Sequence, residues 1–214
     1  MRGKILEILQ DPRLALPIET YSGHAISGFE NYLELLIKWN FKVNLTAQKS
    51  KEEILSKHIF DSLQYYRSIR KGFKVLDIGS GGGFPGIPLK LVLPGLELVM
   101  LESQRKRCSF LETVVRELDL DKTTVINDRA ELVSDEYNGI FDAVVFRAVT
   151  SIESCLVLGQ RFLVPRGMII LKKDPQEKPQ EDSLNLGLKL KKEIFVSNYQ
   201  GLVSSLLEYE KCFT

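Results

Sequence analysis

Long apolar runs are missing from this sequence. No stretch approaches the roughly 18 to 20 residues that cross a bilayer, and the N-terminus carries no apolar core followed by small cleavage-site residues. A chain that spans or is exported through a membrane is thereby disfavoured, and the cytoplasm is the expected location. Cysteine is scarce as well. Cys108, Cys155 and Cys212 are widely spaced, odd in number and form no CxxC pair, so neither a disulfide framework nor a zinc site is expected. Only two histidines occur, His24 and His58. Charge of one sign is not in excess either: 29 Lys and Arg against 28 Asp and Glu leave +1, which neither demands nor forbids nucleic acid.

What is present suits an ordinary folded chain. Its 214 residues, 44% hydrophobic and 27% charged, are enough to bury a core as one main domain with an appendage. Residues 1 to about 70 show helical periodicity and no strand, with Ile26, Phe29, Leu33, Leu36 and Ile37 on one stripe. Ser50-Lys51-Glu52-Glu53 is a capping-box pattern opening another helix, whose inward side carries Ile54, Ile59, Leu63 and Tyr66. Asn44-Leu45-Thr46 is then a loop.

From Lys74 the pattern becomes short apolar runs alternating with amphipathic stretches, the signature of a parallel sheet with helical crossovers. Strands are predicted over 74–78, 97–101, 123–127, 142–146 and 168–172, with helices near 87–93, 104–118 and 151–163 between them. Two further strands, 194–197 and 204–213, have no long helix between them and read as a hairpin closing one edge. The chain divides into a helical N-terminal cap over residues 1–70 and a Rossmann-like α/β domain over 71–214, with a mostly parallel seven-stranded sheet. The segment from Lys173 to Gln180, with two prolines and several charges, is expected to be an exposed loop bordering a site.

The first predicted strand ends in Asp77-Ile78-Gly79-Ser80-Gly81-Gly82-Gly83-Phe84-Pro85-Gly86. Five glycines within eight residues demand a tight turn with close backbone approach, at the carboxyl end of a strand where open α/β sheets bind ligands. Gly81 to Gly86 formally fits the G-x-G-x-x-G dinucleotide fingerprint. An acidic residue just before the glycines is unfavourable opposite a pyrophosphate, whereas a cofactor with an ammonium and a sulfonium welcomes it. The second strand ends in Glu102, placed to accept from both ribose hydroxyls, and Asn127-Asp128-Arg129-Ala130-Glu131 follows the third, where an adenine edge would lie. Asp77, the turn and Glu102 therefore favour S-adenosyl-L-methionine over NAD, and with it a class I methyltransferase fold.

The methyl acceptor is read from the loop after the fourth strand. Amine methylation commonly uses an Asn or Asp with two prolines and an aromatic residue there, but this chain has Phe146-Arg147-Ala148. Carbon methylation needs a thiolate, and Cys108 and Cys155 sit within apolar helix patterns that read as core. A ring nitrogen such as guanine N7 carries its own lone pair, so positioning suffices.

These residues resemble the bacterial methyltransferases that modify guanine N7 in small-subunit ribosomal RNA, the glucose-inhibited division protein B family. The resemblance is carried by Asn44-Leu45-Thr46-Ala47, Lys57-His58 with Asp61-Ser62-Leu63, Asp77 through Gly83-Phe84-Pro85-Gly86-Ile87-Pro88-Leu89, Lys106-Arg107 with Phe110-Leu111, and Arg147-Ala148. It implies that Gly79 and Phe84 contact the cofactor with Asp77 and Gly81, and that Glu102, Ser103 and Gln104 hold its ribose side. Ala130 and Glu131 approach the adenine, and Arg147 both contacts the cofactor and lines the reaction site. Lys172, followed here by Lys173 where the family usually has glycine, joins Arg147 as a candidate to serve the reaction. Asn44, Thr46, His58, Arg105, Lys106 and Arg107 are candidates to meet RNA, either free 16S ribosomal RNA or the 30S subunit. A monomer without a metal is expected. Two alternatives stay open: a small-molecule methyltransferase, and a non-catalytic RNA-binding protein using the cofactor as a signal.

Overall fold

The computed structural model describes residues 1–147, 151–177, 182–183 and 186–212. Ala148 and Phe213, and the 178–180 part of the expected loop, lie outside the described residues. The N-terminal region is helical. It contains α1 (Arg2–Leu9), α2 (Gly23–Val43), α3 (Lys51–Ile54) and α4 (Phe60–Leu63). Ser22 opens α2 by accepting from the Ala25 N–H at 3.1 Å, and the stripe Ile26, Phe29, Leu33 and Leu36 is buried as its spacing predicts. Ser50 and Glu53 form the expected capping box before α3. The helix predicted beyond it is not continuous: Leu55–Ile59 forms a π turn between α3 and α4, a rare irregularity often tied to function. Ile54, Ile59 and Leu63 face inward, whereas Tyr66 is only half-buried.

The sheet follows. Its strands are β1 (Lys74–Ile78), β2 (Glu97–Leu101), β3 (Thr123–Ile126), β4 (Phe141–Phe146), β5 (Leu163–Lys173), β6 (Asp182–Ser183), β7 (Leu188–Ser197) and β8 (Val203–Lys211). The helices α5 (Gly86–Val92), α6 (Arg105–Glu117) and α7 (Ile152–Gly159) connect β1 to β2, β2 to β3 and β4 to β5. The order is β3-β2-β1-β4-β5-β8-β7-β6, parallel from β3 to β5 and antiparallel from there on. Seven strands of four or more residues make the expected sheet, and the two-residue β6 extends its edge.

β7 begins six residues before the predicted 194, because Lys189, Lys191 and Lys192 conceal an edge strand whose lysines face solvent. Alternate strand residues feed two cores. Val75, Met100, Val145 and Ile170 pack beneath the N-terminal helices, α5 and α6, while Leu76, Ile78, Val144, Phe146 and Leu171 pack beneath α7. Strand order reverses between β1 and β4, so their carboxyl ends open a crevice at the switch point. Among the described residues, no helix is long and apolar enough to cross a membrane.

Candidate active site

The glycine turn is held from both sides. Gly79 and Ser80 donate to the Leu101 carbonyl at 2.8 and 3.2 Å, and Gly83 and Phe84 donate to the Ser80 carbonyl at 2.7 and 3.0 Å. Gly83 has φ +90°, and a Cβ there would lie 2.3 Å from Ile87 Cδ1 and 3.2 Å from Tyr32 Oη, so no side chain fits. Tyr32 itself donates to the Gly82 carbonyl at 2.5 Å.

Asp77 lies fully buried beneath the turn rather than on its surface. Its Oδ2 accepts from the Gly86 N–H at 3.0 Å, at the first residue of α5. A dinucleotide's phosphate would need that N–H, and here a carboxylate already occupies it. Oδ1 has no protein partner among the described residues. Burial pushes the Asp77 carboxyl up to about 7, with the Gly86 N–H opposing the shift.

Glu102 is almost fully buried at the end of β2. Its two oxygens accept from the Gly81 and Gln104 N–H groups at 2.9 and 2.8 Å, which fixes the carboxylate with a lone pair still free on each oxygen. Beside it a cleft of about 250 Å³ is lined by Ile78, Gly79, Leu101, Ser103, Ala130 and Glu131, with Asp128, Arg129 and Leu158 completing its wall. Gly79, Ser103, Ala130 and Glu131, predicted from sequence, thus share one cleft. Asn127 ties its floor by donating to the Glu102 and Ser103 carbonyls at 3.0 and 3.1 Å. A cleft of mixed apolar and polar lining next to a fixed carboxylate and an unpaired buried carboxylate oxygen fits the adenosine and ammonium ends of S-adenosyl-L-methionine.

Arg147, just past β4, is joined to the N-terminal helices. Its Nη2 lies 2.8 Å from His58 Nδ1, 3.3 Å from the Lys57 carbonyl and 3.9 Å from Asp61 Oδ2. A guanidinium only donates, so His58 Nδ1 must accept and its proton sits on Nε2. That Nε2 is 2.6 Å from Gln48 Oε1 and 2.7 Å from Thr46 Oγ1. Burial and the nearby Arg147 and Lys57 charges bring His58 down to about 4, so the ring is neutral. Phe84 lies in the same cluster: it stacks on His58 at 4.8 Å between centroids and 26° between planes, with the Arg147 guanidinium 5.3 Å over its face. Lys172, at the end of β5, pairs with Asp61 at 2.9 Å.

The RNA candidates divide. Thr46 and His58 belong to the Arg147 cluster, and Asn44, exposed in left-handed conformation, caps α2 beside them. Arg105 and Lys106 are exposed at the start of α6, whereas Arg107 is half-buried 3.9 Å from Glu102. In the other basic clusters Lys51 pairs with Glu34 at 2.6 Å, and Lys189 and Lys191 pair with Glu210. Burial pushes both Cys108 and Cys155 up to about 11, as befits core thiols.

Sequence reading missed the residue that builds this loop. Asn40 donates to the Thr46 and Gln48 carbonyls at 2.9 and 3.2 Å and accepts from the Leu45 and Thr46 N–H groups at 2.7 and 2.9 Å. Its signal was an asparagine four residues after Leu36 on the apolar stripe.

The chain matches the GidB family, described as rRNA small subunit methyltransferase G, over residues 25–202. It is 42% identical over 175 residues to the ribosomal RNA small subunit methyltransferase G of Carboxydothermus hydrogenoformans, covering 78% of this chain and 74% of that protein. To its namesake from Alkaliphilus oremlandii it is 37% identical over 177 residues, covering 81% and 74%. Among solved structures, an Aquifex aeolicus SAM-dependent methyltransferase superposes with a TM-score of 0.57 at 13% identity, over 74% of this chain and 93% of that one. M. jannaschii TYW2 in complex with AdoMet gives 0.57 at 19% identity, over 72% and 76%. The structures establish likeness of fold, and the sequence matches go further: this chain belongs to the GidB family of rRNA small subunit methyltransferases G.

Proposed function

We propose that the chain transfers the methyl group of S-adenosyl-L-methionine to N7 of a guanine in 16S ribosomal RNA. The observation that carries the cofactor is Asp77: a buried carboxylate holds the N–H where a pyrophosphate would dock, leaving one oxygen for a cation. Family membership supplies the substrate class. When bound, the cofactor supplies an electrophilic methyl group on a sulfonium. Glu102 is placed to bind ribose hydroxyls, and Ala130 and Leu158 would offer the adenine apolar contact.

Arg147 is held at the mouth of the crevice by His58, the Lys57 carbonyl and the Phe84 face, so it is oriented before RNA arrives. His58 is neutral and already engaged on both nitrogens, so it positions rather than takes a proton. N7 attack requires no base, and the positive charge that develops on the purine is met by the Asp61 carboxylate. On this reading the enzyme works as a cytoplasmic monomer, and direct attack by a ring nitrogen asks for no metal.

Methyl transfer from labelled cofactor to naked 16S RNA and to 30S particles tests the proposal. N7-methylguanine at one site, with turnover falling steeply as salt rises, is expected. Transfer to small molecules alone, or RNA binding without turnover, would overturn it.

A further inference from the structure

Beside Asp61 lies a second cavity that the cofactor cleft does not include. It measures about 140 Å³ and is lined by Ser56, Lys57, Asp61, Asn198, Tyr199 and Gln200. This is below the roughly 300 to 1,000 Å³ of sites for drug-sized ligands and on the scale of a single ring system. One side is the π turn and α4, the other is the turn joining β7 to β8.

The second wall is pinned in place. Gln64 donates to the Ser197 carbonyl at 3.1 Å, and Arg13 donates to the Asn198 and Tyr199 carbonyls, each at 3.2 Å. The Tyr199 ring meets Phe60 edge-on with centroids 5.5 Å apart. Asp61 is the only carboxylate among the lining residues, and it carries Lys172 at 2.9 Å and Arg147 at 3.9 Å. The cavity therefore presents the Asp61 carboxylate and Lys57 from its own lining, with Lys172 and Arg147 held against Asp61 at its rim, next to an aromatic ring.

That pattern matches one base. Guanine shows two adjacent donors, N1–H and the 2-amino group, next to the O6 acceptor. Adenine would turn its N1 lone pair toward the carboxylate and its 6-amino group toward the cations, leaving buried polar groups opposed. Building on the function proposed above, we propose that this cavity receives the target guanine, with Asp61 accepting from N1–H and the 2-amino group, Lys172 or Arg147 donating to O6, and Tyr199 stacking on the ring. Asp61 on N1–H and the 2-amino group leaves N7, the neighbour of O6 on the adjoining edge, without a hydrogen-bond partner and open to methylation. Asp61 thereby sets base identity, and Tyr199 sets affinity for the displaced nucleotide.

The test uses 30S particles in which the methylated guanine, once located, is replaced by inosine, which keeps N7, O6 and N1–H but lacks the 2-amino group. For the wild type, kcat/KM falls at least about tenfold on inosine, the loss expected for a hydrogen bond to a charged acceptor. For Asp61→Ala the guanine-to-inosine ratio collapses toward one, whatever its absolute rate. In parallel, Tyr199→Ala raises KM for RNA roughly five- to 100-fold with little change in kcat, and Tyr199→Phe restores it, because stacking uses the ring alone. An inosine penalty that is equal in wild type and Asp61→Ala overturns the assignment of Asp61, and a Tyr199→Phe enzyme as weak as Tyr199→Ala overturns the stacking wall. If the wild type makes no N7-methylguanine on unmodified particles, the function proposed above fails instead.

Discussion

Replacing Asp77 with Asn tests whether cofactor binding is coupled to a proton. The unfolded chain gives up this proton near 3.8 and the folded protein near 7. Between those values the native state holds more proton than the unfolded state, so stability falls as pH rises through the window. The gap between 3.8 and about 7 corresponds to roughly 4 kcal/mol, lost by pH 8 relative to acid. Asp77→Asn keeps an acceptor for the Gly86 N–H and removes the charge, so its melting temperature at pH 8 equals or exceeds that of the wild type. Its pH dependence loses the Asp77 component.

A cofactor cation next to the unpaired Oδ1 favours the ionised carboxylate. Binding at pH 6 must then expel a proton from the wild type, and its Kd is about fivefold weaker at pH 6 than at pH 7 and about tenfold weaker than at pH 8. Calorimetry in buffers of different ionisation enthalpy reads the expelled proton directly. The difference from Asp77→Asn isolates it from the cofactor's own amino group. The variant binds more weakly at pH 8, and its Kd loses the Asp77 component below pH 7. Equal proton release by both proteins would refute the coupling.

Four other outcomes follow from the geometry. Asn40→Ala strands four backbone groups and should cost about 2 to 4 kcal/mol in urea unfolding, while lowering kcat through the loosened Thr46–His58–Arg147 chain. Arg147→Ala should lower kcat far more than it changes cofactor Kd by calorimetry, since Arg147 sits outside the adenosine cleft. Because His58 is held near 4, below its ordinary 6.5, kcat at saturating cofactor should show no histidine titration between pH 6 and 8. Gly83→Ala should abolish cofactor binding or folding, because φ +90° and Ile87 at 2.3 Å both forbid a Cβ.

The parts of the site that are contiguous in sequence are legible from the sequence alone. The glycines, Glu102 and Ala130 each follow a strand, and strand ends in a parallel sheet converge whatever the details of packing. The five parallel strands could be read for the same reason, since each is an apolar run between helices. β7 is longer than its sequence suggests, because an edge strand needs only one apolar face and Lys189, Lys191 and Lys192 look like a loop.

The Arg147 cluster was harder to read because it is assembled across the chain. His58 meets Arg147 over 89 residues, and Asp61 meets Lys172 over a still longer separation. Neither pair has a spacing that sequence periodicity can register. The π turn that carries Lys57 and His58 interrupts a pattern that reads as an unbroken helix. Its effect is to bring a ring and a carbonyl of the N-terminal cap onto a side chain of the sheet. On the function proposed above, the cap therefore completes the reaction site rather than merely covering it.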